Sequence, residues 1–133
     1  MVYFVTFNVQ ARRRVLANAP AFAAWRKAVA KLVGWTVLAG VMMPDHLHLL
    51  AAPEDRDADV SNLSGALKRW MRQEARRDDW RWQSGSFDRL LRGGESPQEK
   101  WIYIRGNPVR AGLVTRWQDW PYQLGFERDE RES

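Results

Sequence analysis

Two apolar runs, Trp35 to Met42 and His46 to Ala51, follow each other with only Met43-Pro44-Asp45 between them. So short a connection is a turn, and it lays the two runs side by side as an antiparallel pair. The first run is apolar on both faces and reads as a central strand. The second, Met43-Pro44-Asp45-His46-Leu47-His48-Leu49-Leu50, holds both histidines of the chain. Side chains alternate along a strand, so His46, His48 and Leu50 share one face while Leu47, Leu49 and Ala51 take the other. Two imidazoles side by side on a rigid element are how two ligands are offered to one divalent metal. A metal so held acts as a Lewis acid on a phosphoryl or carbonyl oxygen. His-X-His also occurs as a satisfied, half-exposed pair without metal, and the motif alone leaves both readings open.

With 133 residues, 45% of them apolar, the chain is expected to form one domain spanning 1–133, with a core over about 2–122 and a short charged tail, 123–133. The absence of cysteine excludes disulfides, thiolate metal sites and cysteine nucleophiles. It fits a reducing cytoplasm. The longest apolar run is too short to cross a bilayer, and no signal-peptide pattern stands at Met1. The net charge of +5 comes mainly from arginine, whose guanidinium suits bidentate phosphate contacts. A basic domain with eight tryptophans could bind nucleic acid, phosphates by charge and unpaired bases by stacking. The plainer expectation is that most of the tryptophans are core, with one or two exposed.

Val2 to Val9 is rich in β-branched and aromatic residues and reads as a first strand. Arg12-Arg13-Arg14 follow in a loop, where they touch phosphate or are simply solvated. Asn18 caps a first helix with Pro20 in its opening turn; Phe22, Trp25, Val29, Leu32 and Val33 form its stripe, and Gly34 ends it. After a polar loop from Pro53 to Asp57, the spacing of Val60, Leu63, Leu67, Trp70 and Met71 predicts a second helix from about Ser61 to Arg77. Its outer surface carries Lys68, Arg69, Arg72 and Arg76, a DNA-backbone contact or a solvated face. Phe87 to Leu91 alternate as a short fourth strand, with Gly85 at a bend before it. Strand, helix, strand, strand, helix, strand is the ferredoxin-like order. The predicted class is α+β, a four-stranded antiparallel sheet with helices packed on one face.

Ser96-Pro97-Gln98-Glu99 is a capping box, so a further helix starts at Pro97 and ends near Asn107-Pro108. It carries Tyr103 on one stripe with Glu99 and Asn107. A tyrosine hydroxyl can attack phosphorus to give a phosphotyrosine link. The amide oxygen of Asn107 could be a third ligand beside the two histidines, suited to Mg²⁺ or Mn²⁺. Equally, Tyr103 could be a core tyrosine, and Asn107 the cap of the next turn, Pro108 to Ala111.

Met43-Pro44-Asp45-His46-Leu47-His48, Trp82-Gln83, Phe87-Asp88, Tyr103-Ile104, Asn107-Pro108-Val109-Arg110-Ala111-Gly112-Leu113-Val114 and Asp119-Trp120-Pro121-Tyr122 together resemble the REP-associated tyrosine transposases, a branch of the HUH single-tyrosine transposases. The resemblance spans about Tyr3 to Tyr122. It implies an enzyme that cleaves and rejoins single-stranded DNA, folded into hairpins of repetitive extragenic palindromes, through a 5′-phosphotyrosine. It implies Tyr103 as nucleophile and a divalent cation, Mg²⁺ or Mn²⁺, on His46, His48 and Asn107. Arg12, Arg13, Arg14, Lys68, Arg69, Arg72, Arg76 and Arg105 are the expected DNA contacts. A cytoplasmic, nucleoid-associated protein follows, monomeric or homodimeric and without a membrane. The alternative is a hairpin-binding or single-stranded-DNA-binding protein of the same lineage that does not cut. A two-histidine-motif phosphoesterase is disfavoured because no further histidine exists. Gly106 within the tyrosine helix should cost about 1 kcal/mol relative to alanine, and Arg89 stands where many relatives place histidine.

Overall fold

The computed structural model describes residues 1–55 and 57–126. The elements run β1 (Tyr3–Asn8), α1 (Ala19–Ala30), β2 (Trp35–Met42), β3 (His46–Pro53), α2 (Val60–Ala75), β4 (Phe87–Leu90), α3 (Pro97–Arg105), α4 (Asn107–Arg110) and β5 (Gln123–Leu124), with single 3-10 turns at Gln10–Arg12 and Trp117–Asp119. All pairings are antiparallel, in the order β4-β1-β3-β2-β5. The architecture is thus α+β, but the sheet has five strands where the sequence reading expected four. The fifth is the two-residue β5 against Gly40 and Val41, which falls in the stretch expected to be tail. Residues 127–133 of that tail lie outside the described residues.

The helix starts follow from their caps. Asn18 Oδ1 accepts from Ala21 N at 2.9 Å, and Pro20 occupies the first turn of α1. Asp59 Oδ1 accepts from Ser61 N at 2.9 Å, so α2 begins at Val60 and ends before Arg76, which turns into the left-handed region at φ 54°. Ser96 Oγ accepts from Glu99 N at 3.3 Å and opens α3 as the capping box predicts.

The sheet has a different layer on each face. Val5, Phe7, Leu47, Leu49 and Ala51 pack with Trp25 and Ala28 of α1 and with Leu63, Leu67 and Met71 of α2. On the opposite face Ala39, Val41 and Leu50 pack with Trp101 and Ile104 of α3 and with Trp120. Gly40 allows the first layer to seat closely, since a Cβ there would come within 2.8 Å of the Trp25 ring. Trp120 Nε1 donates to Met42 O at 3.0 Å and pins the C-terminal segment to the end of β2.

All eight tryptophans are covered: five are buried and Trp70, Trp82 and Trp117 are half-buried. None offers the open stacking face that the sequence allowed for one or two of them. Among the described residues, no helix is long and apolar enough to cross a membrane.

Candidate functional site: a histidine pair and an exposed tyrosine

Register places the histidines. Thr6 lies opposite His48 and Asn8 opposite His46 on the β1–β3 ladder, with Val41 opposite His48 on the other side. The imidazoles therefore stand on the α3 face, their ring centroids 4.7 Å apart and their planes at 77°. Each ring is oriented through Nδ1. His46 Nδ1 is 2.7 Å from Asp45 Oδ1, a carboxylate to which it donates, and His48 Nδ1 is 2.8 Å from Thr6 Oγ1. Both Nε2 atoms are left without a hydrogen-bond partner among the described residues. A carboxylate or hydroxyl behind the ring is how a ligating histidine has its tautomer and aim fixed.

Asp45 is held in turn by Arg12, whose Nε donates to Oδ2 at 2.9 Å. Burial works against the Asp45 carboxylate, but the hydrogen bonds from Arg12 and His46 outweigh it and hold its pKa below the usual range. Arg12 reaches this position from a loop in which Ala11 and Arg12 both have positive φ, 58° and 52°. The left-handed backbone costs about 1–2 kcal/mol per residue. The loop is tied down by Gln10 N to Arg81 O at 2.8 Å and Leu16 N to Pro44 O at 2.9 Å. His48 is pushed down to about 3, by burial first and then by the positive charge of His46, Lys100, Arg12 and Arg110. It is a neutral imidazole with an available lone pair.

Tyr103 is not a core residue. It is 60% exposed on α3, while its neighbours Trp101 and Ile104 are buried against the sheet. Burying each of those two contributes about 1.5–3 kcal/mol, more than the glycine penalty expected at Gly106. Gly106 in fact ends α3 as its C-cap at φ −81°, so that penalty falls outside the helix interior.

Lys100 links the tyrosine to the histidines. Its Nζ lies 5.4 Å over the Tyr103 ring and 4.5 Å over the Phe4 ring, and Phe4 stacks against His48 with centroids 5.4 Å apart. Asn107 is the first residue of α4, whose cap position is held by Gly106 and not by the asparagine. Its Oδ1 accepts from Arg110 Nη2 instead. Among the described residues no cluster of three or more His, Asp or Glu side chains offers a metal cage. Two imidazoles make only part of a metal shell, and a cation there would need its remaining ligands from an amide or from water.

Of the expected DNA contacts, only Arg12 stands at the histidines. Arg13 turns to Asp79, donating to its carbonyl, and Arg14 is exposed beside it. Lys68, Arg69 and Arg72 belong to α2 and Arg76 is its C-cap, on the opposite face of the sheet. There Lys68 Nζ donates to Gln83 O at 3.1 Å and to Gly85 O. Arg69 lies over the Trp70 ring and Arg72 over Trp80. Arg105 packs with Cζ 3.8 Å from the Trp117 ring centroid. Arg89 forms a fork to Glu95 at 2.7 and 2.9 Å. A cavity of about 560 Å³ lined by Lys31, Trp35, Asp55 and Trp70 contains neither histidine nor Tyr103.

Sequence reasoning missed Thr6, Lys100 and Arg110. Lys100 was within reach of it, being three residues before Tyr103 on one helix. Thr6 depends on a register 42 residues apart in sequence, and Arg110 on the bend at Gly106.

No family model matches the chain. It is 30% identical over 101 residues to a Haemophilus influenzae protein provisionally named REP-associated tyrosine transposase, covering 66% of this chain and 57% of that one. The chain thus spans less than two thirds of that relative's length. To the Escherichia coli REP-associated tyrosine transposase it is 26% identical over 130 residues, 96% of this chain and 77% of that one. Its fold matches a solved REP-associated tyrosine transposase bound to a REP hairpin with a TM-score of 0.82 at 26% identity, over 98% of this chain and 79% of that one. A Deinococcus radiodurans protein provisionally described as a transposase matches in fold alone, with a TM-score of 0.58 at 18% identity, over 80% of this chain and 89% of that one. Both kinds of comparison converge: the relatives and the solved structure to which this chain is similar are REP-associated tyrosine transposases.

Proposed function

We propose that this chain cleaves and rejoins single-stranded DNA at the foot of a hairpin through a 5′-phosphotyrosine on Tyr103. One observation carries the reading: an exposed phenol on α3 stands on the same face of the sheet as His46 and His48, joined to them through Lys100 and Phe4. The order β4-β1-β3-β2 with α1 and α2 on one face supports the ferredoxin-like form of the catalytic domain.

In the forward step the Tyr103 oxygen attacks phosphorus in line, loses its proton, and the bond from phosphorus to the 3′ oxygen breaks. That oxygen takes up a proton and leaves as a 3′ hydroxyl. In the reverse step a 3′ hydroxyl attacks the phosphotyrosine and restores the phenol, so the bond energy is conserved and no nucleotide is consumed. In-line attack needs the phenol oxygen within about 3–3.5 Å of phosphorus. Mg²⁺ or Mn²⁺, held by His46, His48 and the Asn107 amide, would polarise a phosphoryl oxygen. Thr6 and Asp45 fix the two rings so that each Nε2 faces outward. Arg12 supplies positive charge beside them, and Arg13 and Arg14 continue it along the loop. Arg69, Arg72 and Arg76, on the far face, are assigned to duplex DNA beyond the cleaved strand.

The test is a labelled hairpin oligonucleotide with a single-stranded tail, incubated with Mn²⁺ and run on a denaturing gel. The wild type should give a covalent adduct, and Tyr103→Phe should abolish it while binding the hairpin with near wild-type affinity. An adduct that survives in Tyr103→Phe overturns the assignment. One contact favours the alternative of a hairpin-binding protein that does not cut: the Asn107 amide oxygen is already engaged by Arg110. Hairpin binding without any adduct from the wild type would establish that alternative.

A further inference from the structure

Some surface cations of this protein are neutralised by carboxylates. Arg12 pairs with Asp45, Lys27 and Lys31 with Glu74, Arg77 with Asp79 and Arg89 with Glu95. Lys100 and Arg110 are different. Among the described residues neither makes an ion pair, yet both are drawn in over Tyr103, with Lys100 Nζ 5.4 Å and Arg110 Cζ 4.2 Å from its ring centroid. One comes from the helical turn before the tyrosine and the other from beyond the bend after it.

The Arg110 guanidinium is held in place by its own end. Nη2 donates to Tyr103 O at 2.6 Å and to Asn107 Oδ1. Its Nε and Nη1 groups have no partner among the described residues. The backbone is bare where the guanidinium passes, because a Cβ on Gly106 would lie 2.7 Å from Nη1. A planar fork, pre-oriented by two acceptors and an aromatic face with donors unspent, matches two oxygens of a phosphodiester. The Lys100 ammonium adds a second point charge on the side nearer Phe4 and His48.

We propose that Lys100 and Arg110 form a phosphate clamp that holds the backbone of a single-stranded nucleic acid against the Tyr103 hydroxyl. The clamp rests on the cleavage reading for its purpose but not for its binding chemistry. It gives Gly106 a role as the residue whose missing side chain admits the guanidinium.

The experiment is fluorescence anisotropy without divalent metal, where no strand is cut. The probes are a DNA hairpin bearing a single-stranded 5′ tail and the same hairpin without the tail. For the tailed probe, Lys100→Met and Arg110→Gln should each lower the slope of log affinity against log salt by about 0.7. Arg110→Lys, which keeps the charge, should keep the slope, and Lys27→Gln on the opposite face should change nothing. The untailed probe should be indifferent to all four substitutions. Gly106→Ala should weaken tailed-probe binding severalfold at unchanged slope.

Thermal unfolding at the wild-type temperature confirms that each variant is folded. Wild-type slopes in both Lys100→Met and Arg110→Gln overturn the clamp, even if the wild type forms its adduct. Reduced slopes in a protein that forms no adduct leave the clamp standing and remove the cleavage reading instead.

Discussion

Thr6 and His48 face each other across the β1–β3 ladder, with the threonine hydroxyl 2.8 Å from Nδ1 of the imidazole. Thr6 is 8% exposed, so the contact is sheltered from competing water. If His48 ligates metal through Nε2, this hydroxyl sets its aim. Thr6→Val keeps the shape and removes the oxygen. Mn²⁺ affinity, followed by electron paramagnetic resonance titration, should fall about 10–100-fold, with the far-ultraviolet circular dichroism unchanged.

Gly40 carries no chemistry and should still be intolerant. A methyl group there meets the Trp25 ring and the His48 carbonyl oxygen, each at 2.8 Å. Trp25 is fully buried and has no room to retreat. Gly40→Ala should destabilise the domain by about 1–3 kcal/mol through overpacking, read as a lower urea midpoint at unchanged slope.

The Arg89–Glu95 fork predicts a pH window. The hydrogen bond from Arg89 and the one from Arg92 N hold the Glu95 pKa down to about 2, against an ordinary value of 4.5. A carboxylate whose folded pKa is depressed stabilises the fold above its unfolded value and loses that contribution as pH falls through the folded one. The stabilisation should therefore be complete above about pH 4.5 and fade toward pH 2. Glu95→Gln should flatten this part of the urea-midpoint profile. The pair is solvent-exposed, so added salt should shrink the difference.

Lys68 should behave as a structural residue and its helix neighbours as surface charge. Burial lowers its pKa, and its ammonium joins α2 to the segment before β4 through Gln83 O and Gly85 O. Lys68→Met should cost about 1–2 kcal/mol of stability, in the range for charged hydrogen bonds after allowance for partial exposure. Combined neutralisation of Arg69, Arg72 and Arg76 should leave stability nearly unchanged and weaken hairpin binding while sparing a single-stranded probe. Chemical denaturation and anisotropy on the same variants separate the two.

Much of the scaffold was legible because it is written in local patterns. The β2 boundaries, the alternation that sets His46 and His48 on one face, the Asn18 cap and the capping box at Ser96 all depend on residues within four positions of each other. What escaped depends on tertiary contact. Gln123–Leu124 is too short to show a period, and becomes a strand only because Gly40 and Val41 lie beside it. The basic stripe of α2 was visible, but no periodicity says which side of the sheet a helix will cover. Arg110 reaches Tyr103 only because the chain bends at Gly106. That bend was read as a defect in a helix, whereas it is the helix end and the opening for a guanidinium.

Tyr103 projects from the outside of its helix, most of its surface in solvent. A nucleophile at the bottom of a well must be fed an end. A phenol displayed on a rim can be approached sidelong by the middle of a polymer, with both flanks trailing away. Whatever chain this hydroxyl engages needs no terminus to enter, and if it is cut there the two pieces could drift apart or find new neighbours without anything having to open.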